Sequence, residues 1–168
     1  IGSLGQGNMI SGNTAAGLEI NNSSGSNSIV QNVIGLNLSG SGAVANGTQG
    51  IRIVTGGTGN SINDNVVAGN SGAGISISAT SSMMITLNEI GEFGGTPFGN
   101  GSHGISVLSG SSAITIFNNK IKNNTGNGVD VDSATGVGIK GNYIGENGTL
   151  GIDLHASAIQ SGATANDA

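Results

Sequence analysis

Four side chains near the end of this 168-residue sequence have types and spacings that suit chemistry: Asp130, Asp132, Asp153 and His155. Three carboxylates and an imidazole that meet in space can hold Ca²⁺ through oxygen ligands. They can also divide acid and base work on a sugar. The plain alternative is an acidic, solvated strand face. Little else in the chain competes: there are nine Asp and Glu, four Lys and Arg, two His and no Cys. Without Cys there is no disulfide framework and no thiolate metal site. Asp130 and Asp153 are 23 residues apart, as are Asp132 and His155. The question is what architecture brings residues at that interval together.

The answer lies in an internal repeat. The template Gly-apolar-x-apolar occurs six times, starting at Gly17, Gly50, Gly74, Gly104, Gly128 and Gly151. Each copy follows a string Asn-x-apolar, starting at Asn8, Asn32, Asn65, Asn88, Asn119 and Asn142. Five of these Asn have Ile three positions earlier: Ile29, Ile62, Ile85, Ile116 and Ile139. Consecutive Asn are 24, 33, 23, 31 and 23 residues apart, so the base period is about 23. The two long intervals arise at one place in the unit, from "GLNLSGSGAVANGTQ" and "GEFGGTPFGNGSH". These Gly-, Ser- and Asn-rich insertions read as loops leaving one corner.

Within each unit apolar and polar residues alternate over three to five positions, the period of a strand; no 3.6-residue period is sustained. Three very short strands per 23 residues fit one coil of a parallel β-helix, in which each strand pairs with its equivalents above and below. The expected fold is all-β, a solenoid of six or seven coils over residues 1–154. Residues 155–168 read as a polar extension or the start of a further coil. Inward Ile, Val and Leu would fill the interior. Repeated Asn can tolerate the left-handed corner conformation and can stack as a hydrogen-bonded ladder. Gly would permit a sharp entry into the third strand. In this register the first outward column of the third strand runs Glu19, Arg52, Ser76, Ser106, Asp130, Asp153. The next runs Asn21, Val54, Ser78, Leu108, Asp132, His155. The four candidates thus become the corners of one square, and Glu19 and Arg52 become rung neighbours.

The combination of Asn-x-Ile, a turn and Gly-Ile-x-Ile resembles the right-handed parallel β-helix repeats of large secreted bacterial surface proteins, a pectate-lyase-like fold. "GNMISGNTAAGLEI" and "NGTLGIDL" carry the likeness most clearly. The resemblance implies the handedness of the coil and an extracellular or cell-surface location. It leaves function open, because this fold carries polysaccharide lyases, hydrolases and epimerases as well as adhesins and stalks.

Other candidates are read against the same repeat. "GSHGIS" around His103 resembles a string near the active site of polygalacturonases. The accompanying Asn-Thr-Asp, Asp-Asp and Arg-Ile-Lys strings of that family are missing, and His103 occupies the variable slot before a template Gly. The residue-level expectation is a turn histidine. Phe93 and Phe98 flank the only proline, Pro97, in the second insertion; they can form a sugar or hydrophobic platform with His103, or pin the loop to the rod. "GGTGNSI" at 56–62 partly resembles a calcium nonapeptide but has Ser61 where that motif needs Asp.

Composition excludes further classes. The net charge is −5 and no Lys/Arg cluster exists to neutralise phosphates, so nucleic acid is not an expected partner. No apolar run approaches the roughly 20 residues of a membrane span. Only 8% of residues are charged and 33 are Gly, against about 25% and about 7% in ordinary domains. The expectation is a non-catalytic structural or adhesive segment, with a carbohydrate-active module or a self-assembling filament subunit as rivals. No cofactor is expected beyond Ca²⁺ at the acidic square. The expected partners are neighbouring coils of a longer chain, further copies end to end, or a polysaccharide surface. Open β-helix ends expose pairing edges, which favours a longer native protein.

Overall fold

A computed structural model describes residues 1–22 and 25–155. These residues form a right-handed parallel β-helix with three strands per coil. One sheet contains Ser28–Val30, Ser61–Asn63, Ser81–Thr86, Ser112–Phe117 and Gly138–Lys140. The next contains Met9–Ile10, Val33–Ile34, Val66–Val67, Glu89–Ile90, Lys120–Lys122 and Tyr143–Gly145. The third contains Leu18–Asn21, Ile51–Val54, Ile75–Ser78, Ile105–Val107, Val129–Asp132 and Ile152–His155. All three sheets are parallel, and each strand pairs with its equivalents one repeat away.

The register turns sequence equivalence into vertical columns. Ile62 lies over Ile85 and Ile85 over Ile116, while Ile51, Ile75, Ile105 and Val129 stack in the third sheet. These side chains are fully buried and belong to one continuous core. Each buried Ile contributes roughly 1.5–3 kcal/mol. The β-branched Ile and Val also suit the pleated wall, where their stiff side chains stack on like neighbours.

The repeated Asn form the expected ladder. The side-chain amide of Asn32 donates to Asn65 Oδ1, Asn65 to Asn88, Asn88 to Asn119 and Asn119 to Asn142, all at 2.9 or 3.0 Å. The second reason expected for Asn is not the one the structure uses. The left-handed residue is the one just before the ladder position: Gln31, Asp64, Leu87 and Asn118 have φ between 54° and 58°. The ladder Asn itself spends its amide on the interior, as where Asn88 Nδ2 donates to Ile62 O at 3.0 Å and Thr86 O at 2.9 Å. It satisfies backbone groups that the corner leaves unpaired.

The template Gly is needed for a different reason from the one expected. None of the six has a positive φ. A Cβ on Gly104 would lie 2.5 Å from Ile121 Cγ2, 2.7 Å from Gly128 O and 2.9 Å from Asn124 Nδ2. Gly therefore marks close approach of the third strand to the core and to the next coil.

The two insertions leave the corner between the second and third sheets. The later one is a hairpin, with Glu92–Phe93 antiparallel to Thr96–Pro97 and positive φ at both turn residues, Gly94 and Gly95. Gly40 of the earlier insertion lies against the Phe93 ring, leaving no room there for a side chain. Gly69 N, from the short corner between them, donates to Phe98 O at 2.7 Å. The two loops thus lean together across the intervening coil. The expected tail over 155–168 lies outside the described residues, except for His155, which ends the last strand.

Candidate functional site

The third sheet places the acidic square as its register requires. Asp130 pairs with Asp153, and Asp132 with His155, on adjacent rungs. The residues do not form a solvated face: Asp130 and Asp153 are each only 7% exposed. One carboxylate oxygen from each of these two and a ring nitrogen of His155 lie within 4.8 Å of one another. His155 Nε2 is 3.3 Å from Asp130 Oδ1, and its Nδ1 is 3.8 Å from Asp132 Oδ1. Asp132 stands at the margin, where its Oδ1 also accepts from Ser133 Oγ at 3.0 Å.

Asn127 organises the two buried carboxylates. Its Nδ2 donates to Asp130 Oδ1 at 2.9 Å and to Asp153 Oδ2 at 3.2 Å. Its own Oδ1 accepts from Leu150 N at 3.1 Å and from Thr149 Oγ1, which fixes the amide orientation. Asn127 fills the variable slot before its template Gly, where other coils have Ala16, Gln49, Ala73, His103 and Leu150. Asp153 Oδ1 is buried and accepts no hydrogen bond from any described residue.

His103 lies on the rung before Asn127 but contributes no donor to this cluster. Its Nδ1 accepts from the Asn127 backbone N–H at 3.1 Å. Phe93 and Phe98 are half-buried; the Phe93 ring lies against Gly40, and Phe98 O accepts from Gly69 N. Glu19 and Arg52 form the expected surface pair, Nη1 to Oε2, at 2.7 Å. In "GGTGNSI", Asn60 Oδ1 accepts from Asn27 Nδ2 at 2.9 Å, a corner contact of the same kind as the ladder.

Two features lie beyond the sequence reading. The first is a second Asn ladder, with Asn46 Nδ2 donating to Asn70, Asn70 to Asn100, Asn100 to Asn124 and Asn124 to Asn147 at 2.8–3.0 Å. Its signal was an Asn four residues before every template Gly, a spacing unaffected by loop length. The second is Glu92, 1% exposed at the base of the hairpin and faced by Lys120 and Lys122 from the next coil. Lys122 also pairs with Glu146 at 2.9 Å and lies 5.4 Å from the Tyr143 ring centroid. Hydrogen bonding to Glu92 holds the Lys120 ammonium above its ordinary pKa, and Glu146 does the same for Lys122. Lys120 and Lys122 belong to a strand of the repeat whereas Glu92 lies in an insertion, so no repeat spacing marks their meeting.

Residues 43–166 match the family model of NosD, described as a periplasmic copper-binding protein. This chain belongs to the NosD family. The match spans five of the six template Gly copies with their third strands and includes the acidic square. NosD membership agrees with the coil and the ladders seen here. No curated protein and no solved structure matches the chain. No helix among the described residues is long and apolar enough to cross a membrane.

Proposed function

We propose that this chain is a non-catalytic structural segment of a protein working outside the cytoplasm, in the periplasm or at the cell surface. The observation that carries the reading is the burial of Asp130 and Asp153 behind the Asn127 amide. A carboxyl group used on a sugar must reach the substrate within hydrogen-bond distance. These two instead face each other across a rung and share one donor. The rest of the chain is spent on a regular core and two Asn ladders, which make a stiff rod.

An adhesive role is the finer part of this proposal. Its support is an exposed strip of Leu87, Phe117 and Tyr143, with Lys122 near the Tyr143 ring. Aromatic rings beside cations suit contact with polymer surfaces. The NosD description names copper, and the donors gathered here are those of the Asp130, Asp153 and His155 cluster. Two carboxylate oxygens and one imidazole suit the cupric ion; the cuprous ion prefers sulfur. The chain has no Cys; Met83 is buried in the core, and the exposed Met9 and Met84 lie on the other two sheets, not on the one that carries the cluster. If copper binds, Asp130, Asp153 and His155 would hold it, and its contribution there would be charge neutralisation.

The test is incubation with a panel of acidic polysaccharides, reading chain cleavage, unsaturated products and uronate epimerisation. The proposal expects none of these. Turnover abolished by Asp130→Asn or Asp153→Asn would replace it with the carbohydrate-active reading.

A further inference from the structure

The geometry points to a groove for an acidic polysaccharide of the uronate class, formed at the corner between the first two sheets by Phe117, Lys120, Lys140 and Tyr143 around Asn118 and Gly141. The inference rests on the adhesive reading and names the polymer that the exposed strip contacts. Two neighbouring coils supply the walls. Phe117 and Lys140 are register partners on one sheet, and Lys120 and Tyr143 are register partners on the next. Each rung therefore carries one ring and one ammonium on opposite walls, and the following rung, about 4.8 Å away, carries them exchanged. Asn118 and Gly141 occupy the corner between the walls, both with left-handed φ. A Cβ on Gly141 would lie 2.6 Å from Asn118 Oδ1 and 3.0 Å from Phe117 Cε2. The missing side chain leaves a notch beside the Phe117 ring. It opens into a groove of about 620 Å³ that Tyr143, Lys120 and Lys122 also line. That volume falls within the range of small-ligand sites.

Charge selects an anionic partner. The chain carries a net −5 and only four basic residues, yet three of those four meet at this corner. Lys120 and Lys122 line the groove, and Lys140 Nζ lies 5.8 Å from the Phe117 ring centroid. No carboxylate among the described residues lines it. Glu92 is buried, Glu146 pairs with Lys122, and Glu89 accepts from Gly94 N. Lys140 has no carboxylate partner among the described residues. Side-chain chemistry then selects a sugar. The negative face of an aromatic ring attracts the C–H groups of a sugar ring. An ammonium makes a charge-assisted hydrogen bond to a carboxylate. The Asn118 amide is exposed, has no partner among the described residues and offers sugar hydroxyls both a donor and an acceptor. A uronate polymer presents a ring face, hydroxyls and a carboxylate on every unit, which matches the alternation of ring and ammonium along the walls. Nucleic acid is disfavoured, because three ammonium groups on an acidic chain neutralise few phosphates.

Tyr143 is the only Tyr and the chain has no Trp, so its fluorescence reports on this groove alone. The chain is titrated with three probes: oligoglucuronate, the neutral oligoglucose of the same length and linkage, and oligoglutamate, which has carboxylates but no sugar rings. Oligoglucuronate is expected to change the emission saturably, oligoglucose to bind about tenfold more weakly, and oligoglutamate to have no effect. Lys140→Gln should weaken oligoglucuronate about tenfold and leave oligoglucose unchanged. Phe117→Ala should weaken both sugars, and Arg52→Gln neither. Lys140 is exposed, so an unchanged melting temperature for Lys140→Gln shows that the variant folds. The inference is overturned if oligoglucuronate binds no tighter than oligoglucose, if oligoglutamate binds as well as the sugar acid, or if Lys140→Gln and Phe117→Ala both keep full affinity. Binding of oligoglucose or oligoglutamate without preference for the uronate would leave the adhesive reading standing and remove only this one. No response to any of the three would sink both.

Discussion

At the scale of single residues, equivalent positions in the repeat differ in what they are worth. Asn88 is buried, donates to three acceptors and accepts from Asn65 above it. Its removal orphans several buried polar groups, each costing about 1–3 kcal/mol. Asn8 is exposed and, among the described residues, its side-chain amide donates only to Asn32. Asn88→Ala is therefore expected to destabilise by about 3 kcal/mol and Asn8→Ala by less than about 1, measured by urea unfolding. Gly shows the same contrast. Gly104→Ala drives a Cβ to 2.5 Å from Ile121 Cγ2, whereas on Gly151 the nearest atom among the described residues is Ile144 Cγ2 at 3.7 Å. Overpacking of the first kind costs about 1–3 kcal/mol, and Gly151→Ala should be close to neutral in the same measurement.

At the scale of elements, the fourth-coil hairpin is tied to the rod by charge as well as by Phe93. Lys120 and Lys122 reach Glu92 from the neighbouring coil, and both ammonium groups are held above the ordinary pKa of 10.5. A raised folded-state pKa gives stability that is complete below the unfolded value and is lost as pH rises through the folded one. Glu92→Gln should thus lower the melting temperature near neutral pH, and the gap from the native chain should close above about pH 10.5. A gap that persists there would mean Glu92 acts by packing rather than by charge. The two insertions sit on alternate coils and meet across the one between. The short corner between them leaves room for Phe93 to meet Gly40.

At the scale of the whole molecule, the strands of each coil pair only with those of its neighbours, so apart from the loop contact stability is close to a sum of coil and interface contributions. Central strands are supported on two sides and terminal described strands on one. Amide exchange is expected to be slowest in Ile75–Ser78 and Ile105–Val107 and fastest in Met9–Ile10. Ile85→Ala should cost about 2–5 kcal/mol, since its column is fully buried.

The sequence by itself determined the coil, its period, the corner from which loops leave and the register that pairs Asp130 with Asp153. All of these follow from apolar alternation and a repeated Asn and Gly, because a solenoid places equivalent residues in vertical columns. Burial of the outward acids could not be read that way, since alternation marks Asp130 only as pointing away from the core. The donor that bridges them, Asn127, sits in a slot where the repeat accepts Ala, Gln, His or Leu. The Glu92 ion pairs and the contact between the loops join residues in different phases of the repeat. Those relations depend on the lateral path of the chain around each corner, which only the tertiary structure decided.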